Sequence, residues 1–369
     1  MDRLQEIFDK KTLSHNDLKY LLNIEVGDEL LRMYNEAYRI KVETSGKMVY
    51  FRGIIEFSNI CDKNCFYCGI RHDNKNIVRY MMTLDEILEA AKWVHEVGYG
   101  SIVLQSGERR DEKFVSFVED AVRGIKDISD GKLGITLSFG EQSKKTYQRW
   151  YNAGAHRYLI RIETSNPKLY ARLHPNDHDF GYRFECLEYL REVGYQVGTG
   201  VMIGLPGQTI DDLADDILFF RDNDIDMIGM GPYIPHKDTP MADSLEGDFK
   251  YIRERQLDLA LKMIGATRIC LKDVNIAATT ALQALDDIGR ELGIRAGANI
   301  IMPNVTDTKY RRGYQLYENK PCLDENSSMC QDCLEGRIAK LGETIGYNKW
   351  GDSPHYFKRT GEKGDSPHT

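Results

Sequence analysis

Residues 48–68 read MVYFRGIIEFSNICDKNCFYC, an apolar and β-branched run that leads directly into a loop with three cysteines. Such a run is typical of a strand buried on both faces, as in a parallel sheet. Seven similar runs follow, separated by amphipathic helical stretches such as LDEILEAAKWVHEVGYG. They are SIVLQSG at 101–107, GITLSFG at 134–140, RYLIRIE at 157–163, VGTGVMIG at 197–204, DMIGMGPY at 226–233, DVNIAA at 273–278 and GANIIM at 297–302.

This repeated strand and helix unit predicts a (β/α)8 TIM barrel of the α/β class, because eight units over about 260 residues match the usual length of ~250. A doubly wound open sheet is the alternative. We expect an N-terminal helical extension at 1–47, with Ser14 as a helix cap, and the barrel with a C-terminal cysteine loop at 48–335. Residues 336–369 should form a C-terminal helix and a disordered tail, which repeats GDSPH at 351–355 and 364–368.

Composition narrows the class of protein. A net charge of -8 and the absence of a basic cluster argue against a nucleic-acid partner. The amino terminus has no apolar run long enough for a signal peptide or a membrane span, which predicts a cytoplasmic protein. In that reducing compartment the eight cysteines are expected to be metal ligands, catalytic thiols or core residues rather than disulfides.

Polar, glycine-containing segments follow the predicted strands, at the end of the barrel where active sites lie. The first of them carries Cys61, Cys65 and Cys68, with three and then two intervening residues. A structural zinc site and a ferredoxin cluster each need four ligands. Three thiolates would leave one iron of a 4Fe-4S cluster open for a small substrate. The alternatives are a zinc site completed by His72 and a non-catalytic iron-sulfur scaffold or electron carrier.

The cysteine spacing, with an aromatic residue before the last cysteine, resembles the radical SAM superfamily. That resemblance implies that S-adenosylmethionine (SAM) chelates the open iron and is reductively cleaved to methionine and a 5′-deoxyadenosyl radical. The segment 105–108, QSGE, resembles the family's GGE segment, which holds the SAM amino group. A carboxylate complements an ammonium, and glycine lets backbone approach a ligand closely.

A closer resemblance joins the chain to the HydE-type maturases of FeFe-hydrogenase. It is carried by IIEFSNICDKNCFYCGIRHDNKNIVRYMMT at 54–83, VLQSGE at 103–108, GLPGQTIDDLADD at 204–216, MGPYIPHKDTP at 230–240, and AGANIIMPN with YQLY at 296–304 and 314–317. A HydE-like paralogue and a methylornithine-synthase-like mutase of an amino acid are the alternatives. Biotin synthase, a more distant relative, needs a second cluster inside the barrel, and its cysteine pattern is missing here.

The resemblance to HydE implies a function in assembly of the hydrogenase H-cluster. The implied substrate is a small carboxylate-bearing molecule, in HydE a cysteine-ligated iron complex with carbonyl and cyanide ligands. Implied partners are an electron donor protein and other hydrogenase maturases. Arg161, Glu163 and Tyr317 are implied as catalytic residues. Implied SAM and substrate contacts are Gln105, Glu108, Arg161, Glu163, Arg183, Thr279, Thr280 and Tyr314, to which we add Tyr67, Ser138, Met202 and Met230 as candidates.

Side-chain alternation along a strand predicts that Arg161 and Glu163 both face the barrel interior. A solvated ion pair on a loop is the alternative. For Met202 and Met230, packing in the core would explain their positions equally well.

A second cysteine triplet, Cys322, Cys330 and Cys333, resembles the peripheral second cluster of some HydE proteins. A second iron-sulfur cluster is therefore expected near the barrel top or its outer surface, with zinc or free thiols as alternatives. Cys186 and Cys270 are interpreted as core residues. His174, His178 and His236 fall in loops and are expected to be exposed and without a role in the reaction.

Overall fold

The computed structural model describes residues 2–242, 249–324 and 326–362, and of 249–254, 329 and 330 it describes the backbone alone. The strands are β1 (Met48–Ser58), β2 (Ser101–Ser106), β3 (Gly134–Ser138), β4 (Arg157–Leu159), β5 (Gln196–Thr199), β6 (Met202–Ile203), β7 (Met227–Ile228), β8 (Gly231–Pro232), β9 (Asn275–Ile276), β10 (Ile300–Ile301) and β11 (Thr344–Ile345). The helices are α1 (Arg3–Phe8), α2 (His15–Asn23), α3 (Asp28–Ser45), α4 (Leu84–Glu96), α5 (Glu112–Ile128), α6 (Lys144–Ala153), α7 (Pro167–Leu173), α8 (Phe180–Val193), α9 (Ile210–Asp222), α10 (Phe249–Leu271), α11 (Thr280–Leu285), α12 (Gly289–Arg295), α13 (Thr308–Arg311), α14 (Ser327–Lys340) and α15 (Pro354–Thr360).

Eight parallel strands form the centre of the molecule in the order β10, β1, β2, β3, β4, β5, β7, β9. A parallel bridge between Ala277 and Ile300 joins the last strand of this series to the first, so the ring closes. The short pair β6 and β8 continues two of these strands towards the carboxyl end, where Met202 pairs with Gly231. All eight predicted strands are present, the predicted (β/α)8 barrel is confirmed, and the open-sheet alternative is wrong.

The N-terminal extension packs on the outside of the barrel. Ser14 caps α2 in a reciprocal arrangement with Asp17, as predicted. Helix α3 lies against α10, and α2 lies against α9. A fully buried ion pair between Lys41 and Glu343 joins α3 to the segment before β11. The predicted division of the chain at residues 47 and 335 stays a prediction, and α14 runs across residue 335.

A C-terminal segment closes the amino end of the barrel. The fully buried Arg157 donates to the Trp350 carbonyl at 3.0 Å and to the Asp352 carboxylate at 2.5 Å. The Gly351 carbonyl accepts hydrogen bonds from Arg52 at 2.8 Å and from Asn275 at 2.9 Å. We call residues 350–352 the floor segment. It places three acceptors opposite buried donors of the barrel interior.

The prediction of a disordered tail is therefore wrong for the first copy of GDSPH, at 351–355. This copy is ordered and leads into α15. It lacks apolar periodicity because hydrogen bonds to buried arginines, rather than an apolar face, hold it in place. The second copy, at 364–368, lies outside the described residues. None of the described helices is long and apolar enough to cross a membrane.

Replacing Asp352 by asparagine should lower the free energy of unfolding by about 3 kcal/mol, because the buried Arg157 guanidinium loses its counter-charge. Burial alone would raise the pKa of Asp352, but Arg157 and His156 outweigh it and hold the pKa well below its usual value. The stabilisation is present above the ordinary aspartate pKa of about 4 and is lost as pH falls below it.

Denaturant titrations across this pH range measure both effects. The control is D120N, which removes an exposed carboxylate of α5. Equal stability of D352N and D120N at pH 7 would contradict the assigned contact.

Candidate functional site

The cysteine loop, residues 61–68, follows β1 at the carboxyl end of the barrel. Its backbone is tied to the neighbouring connections: the Asp62 amide donates to the Glu108 carbonyl at 2.8 Å, and the Phe66 amide donates to the Leu173 carbonyl at 2.9 Å. Arg79 also fixes the loop, since its guanidinium donates to several backbone carbonyls between residues 59 and 74. The three thiols are thus presented by an anchored loop.

Glycine at position 107 lets the end of β2 lie against this loop. A Cβ atom there would stand 2.3 Å from the Ile60 carbonyl oxygen and 2.7 Å from the Cys61 Cβ. The next residue, Glu108, donates its amide to the Cys61 sulfur at 3.3 Å. The GGE-like segment therefore positions the first cysteine through its backbone.

A buried cluster of charges lies behind the loop. Glu141 accepts from Lys63 at 2.8 Å and from Arg183 at 2.9 Å, and Arg110 lies 3.1 Å from Glu108. Burial and the adjacent Glu141 carboxylate raise the pKa of Glu108. For Glu141, burial acts in the same direction, but Arg183 and Lys63 outweigh it, so its pKa lies below its usual value. This cluster fixes the cysteine loop against the connection after β3, which carries Glu141, and against α8, which carries Arg183.

The three thiols lie near enough to one another for Cys61 and Cys65 to affect the pKa of Cys68, although no three metal-ligating side chains of the described residues stand close enough to hold a single ion. Burial raises the pKa of all three, that of Cys65 to about 12, and Cys65 and Cys61 raise the pKa of Cys68 further. Metal ligation requires the thiolate form, which bound iron would stabilise against the effect of burial. His72, the residue of the zinc alternative, is exposed and hydrogen-bonded to Asp73 at 2.9 Å.

A cavity of about 220 Å³ opens beside Cys68 and runs through the carboxyl half of the barrel. It is lined by many of the residues predicted to contact SAM or substrate. These are Tyr67, Gln105, Ser138, Arg161, Glu163, Met202, Thr279, Thr280 and Tyr317. Their strands and loops are distant in sequence, and barrel closure brings them to one space.

Four other predicted contacts do not line this cavity. Glu108 and Arg183 belong to the charge cluster behind the cysteine loop. Met230 is fully buried in the core, with the Thr267 hydroxyl 3.9 Å from its sulfur. The buried Tyr314 accepts a hydrogen bond from Lys320 at its carbonyl. These residues support the wall of the cavity from behind.

Arg161 and Glu163 both line the cavity, but strand alternation does not place them there, because β4 ends at Leu159 and both residues lie in the loop that follows it. Arg161 donates from Nε to Glu163 at 3.1 Å and from Nη2 to the Val201 carbonyl at 2.8 Å. The Tyr67 hydroxyl lies 3.4 Å from Glu163 and links this pair to the cysteine loop. Glu163 has a φ of +64°, a left-handed conformation that costs a non-glycine residue about 1–3 kcal/mol. Its backbone bonds to Gly200 and Met202 maintain this conformation.

Four charged or amide side chains of the cavity wall were not predicted from the sequence: Glu56, Lys320, Asn304 and Arg290. Lys320 forms an ion pair with Glu56, which also accepts from Asn304 at 3.0 Å. Glu56 could have been found, because it occupies an interior position near the end of β1. Lys320 and Arg290 lie in a loop and a short helix, where no periodicity marks them.

Two cysteines of the second triplet lie in different environments, one at the barrel cavity and one on the surface. Cys322 lines the barrel cavity with a φ of +61°, and its carbonyl accepts from the buried Arg311 at 2.9 Å. Cys333 is exposed on α14, and the Cys330 side chain lies outside the described part of the chain. A second cluster at these residues stays a prediction.

Two cysteines and three histidines were not expected to take part in the reaction. Cys186 is a core residue, as predicted, and Cys270 packs partly buried against the core. The expectation that His174, His178 and His236 are exposed is wrong, since all three are buried. His174 stacks on Tyr170 at 4.0 Å between ring centroids, and burial with Arg183 lowers its pKa to about 3. These histidines help to pack the cysteine loop.

A closed βα barrel, a three-cysteine loop at its carboxyl mouth and a polar interior cavity define the architecture of a radical SAM enzyme. The family model of the radical SAM superfamily matches residues 55–220 of the chain. The [FeFe] hydrogenase maturase subunit HydE of Thermotoga maritima is 44% identical over 354 residues, 96% of this chain and 97% of that protein.

Two further relatives are methylornithine synthases. The 3-methylornithine synthase of Methanosarcina acetivorans is 27% identical over 86% of this chain and 87% of its own length. The crystal structure of methylornithine synthase (PylB) aligns with a TM-score of 0.78 at 24% identity, over 94% of this chain and 98% of that one, which supports the fold. The chain belongs to the HydE family of radical SAM enzymes. As such it uses a 4Fe-4S cluster and SAM and acts on a small molecule.

Replacing Gly107 by alanine should lower the iron bound per chain after anaerobic reconstitution, because the new methyl group pushes the end of β2 away from Ile60 and Cys61. The control is G336A, whose added Cβ meets nothing within 4 Å. Iron analysis with a circular dichroism spectrum checks the result. Full iron loading in G107A would show that the close approach is not needed.

Proposed function

We propose that this protein acts in assembly of the FeFe-hydrogenase H-cluster, as a HydE-type maturase. Its substrate would be a small carboxylate-bearing molecule, such as a cysteine-ligated iron complex with carbonyl and cyanide ligands. The observation that carries the proposal is the 44% identity to HydE along almost the whole of both chains. An electron donor protein and the other maturases are the proposed partners, and a cytoplasmic location stays a prediction.

Cys61, Cys65 and Cys68 are the proposed cluster ligands. The bound cluster supplies the electron that cleaves SAM to methionine and a 5′-deoxyadenosyl radical. The chain's own contribution is to hold the sulfurs at fixed positions, through Arg79 on one side and the Gly107 contact on the other. Since Cys68 lines the cavity, the residues that would hold the cluster border the space in which SAM and the substrate would bind.

SAM would occupy the part of the cavity next to the cysteine loop. Tyr67, Glu163 and Arg161 form a continuous hydrogen-bonded row there, with acceptor and donor groups for the ammonium and carboxylate of its methionine part. Gln105, Ser138 and Met202 complete this proposed SAM region. Glu108 would contribute through its backbone and the charge cluster rather than through a direct contact of its carboxylate.

The substrate would lie farther along the cavity. Thr279, Thr280 and Tyr317 line that region and offer hydroxyl groups for orientation. A cavity of about 220 Å³ inside the barrel is suited to a small-molecule substrate.

A methylornithine-synthase-like mutase of an amino acid is the second candidate. It rests on the shared fold and on 27% identity to a 3-methylornithine synthase. The two candidates share SAM cleavage and differ in the substrate region. Incubation of the reconstituted protein with lysine, SAM and a reductant, followed by mass spectrometry, distinguishes them, since only the mutase converts lysine to an isomer.

Reconstituted protein should form 5′-deoxyadenosine from SAM under a strong reductant, and C61S, C65S and C68S should each abolish this product because one iron loses its anchor. C270S is the matched control, as Cys270 lies on α10 away from the cavity. Chromatography of the nucleoside products measures the outcome. A product yield that is equal in C68S and C270S would remove the cysteine loop from the reaction.

The maturase assignment is tested by activation of an apo-FeFe-hydrogenase in an extract that lacks only HydE. Added protein should restore hydrogen evolution, and C65S protein should not. Efficient SAM cleavage without any restoration would assign the chain to a HydE-like enzyme with a different substrate.

A further inference from the structure

Arg290 is a buried cation in the wall of the barrel cavity. It lies in the first turn of α12, is 3% exposed and lines the same cavity as Cys68 and Arg161. Among the residues that the structure describes, its guanidinium has neither an ion pair nor a hydrogen bond, and its Nε is a buried atom without a partner. A guanidinium cannot lose its charge in a protein, so burial without a partner is costly.

The other charged groups of the cavity wall neutralise each other. Arg161 pairs with Glu163, and Lys320 pairs with Glu56. Within the described part of the chain, Arg290 is therefore left as one uncompensated positive charge in this cavity. An anionic group that enters from solvent would supply the missing charge.

A second unpartnered donor lies in the same wall. The Tyr233 hydroxyl, on a residue that is 1% exposed, has no hydrogen-bond partner among the described residues. Burial raises the pKa of Tyr233 to about 12, so its hydroxyl keeps the proton. Arg290 and Tyr233 come from different connections and share only this cavity, and both lack an acceptor.

We propose that Arg290 binds the carboxylate of the small-molecule substrate and so selects for carboxylate-bearing molecules; this rests on the proposed function placing that substrate in the barrel cavity. A planar guanidinium offers Nε and one terminal nitrogen in the geometry of a carboxylate, and both can donate to its two oxygens. Arg290 lies on the connection between β9 and β10, together with Thr279 and Thr280 of the proposed substrate region, whereas the proposed SAM contacts lie on or directly after β1, β2, β3, β4 and β6. The carboxylate is therefore that of the second substrate.

The test uses cluster-reconstituted, SAM-bound protein and two probes, S-methyl-L-cysteine and its methyl ester. These probes differ only in whether the carboxylate is free. Calorimetry should show that the original protein binds the acid at least about tenfold more tightly than the ester, a difference of ~1.4 kcal/mol. In R290Q the preference for the acid should fall to about onefold, and in R290K it should be intermediate, because lysine keeps the charge without the planar pair of donors.

The matched control is R295Q, which removes a charge from an exposed position on the same helix. It should keep the preference for the acid. An unchanged preference in R290Q, or an equal loss in R295Q, would overturn the proposal. A loss of SAM affinity in R290Q as large as its loss of affinity for the acid would also overturn the proposal, since Arg290 would then belong to the SAM site.

Failure of the original protein to bind the acid would likewise count against Arg290. That failure is separate from failure of the maturase function, which hydrogenase activation measures without either probe.

Discussion

The contact between the end of β2 and the cysteine loop leaves no room for a side chain at position 107, and the arrangement of the site depends on this close approach. It brings the Glu108 amide to the Cys61 sulfur and the Glu108 carbonyl to the Asp62 amide. Because the loop is thereby placed on the inner edge of β1, Cys68 borders the barrel interior rather than the outer surface. This backbone contact, together with the Tyr67–Glu163 contact, sets the position of the thiols relative to the interior residues.

Several charged side chains are buried around the cysteine loop and the cavity, although packing of the barrel does not require charged residues at these positions. The cluster of Glu108, Glu141, Arg183 and Lys63 holds the loop, and separate pairs hold the cavity wall. Removing one partner of such a pair is usually more damaging than replacing both with apolar residues, so these networks fix position more than they add stability. The site has a rigid polar frame around a small volume.

Much of the fold followed from the strand runs and their spacing, because buried parallel strands carry a local apolar signal. The cysteine loop was found for a similar reason, since its ligands are close in sequence. Arg290 and Lys320 were not predicted because no local sequence pattern marks them. Lys320 is defined by its ion pair with Glu56, which is distant in the chain, and Arg290 by the lack of a partner among the described residues. The floor segment was misjudged because hydrogen bonds from Arg52 and Arg157, which are some 200 to 300 residues away in the chain, order it.

Below the main cavity a second small space, of about 30 Å³, continues towards the floor segment and shares Val103, Leu159, Gly229 and Met302 with the cavity above. The interior of the barrel is thus open at the carboxyl end and closed at the amino end by the floor segment. Removal of the residues after 349, as a seemingly dispensable tail, would open the amino end as well. Such a shortened protein would expose two buried arginines to water and admit solvent to the reaction chamber from beneath.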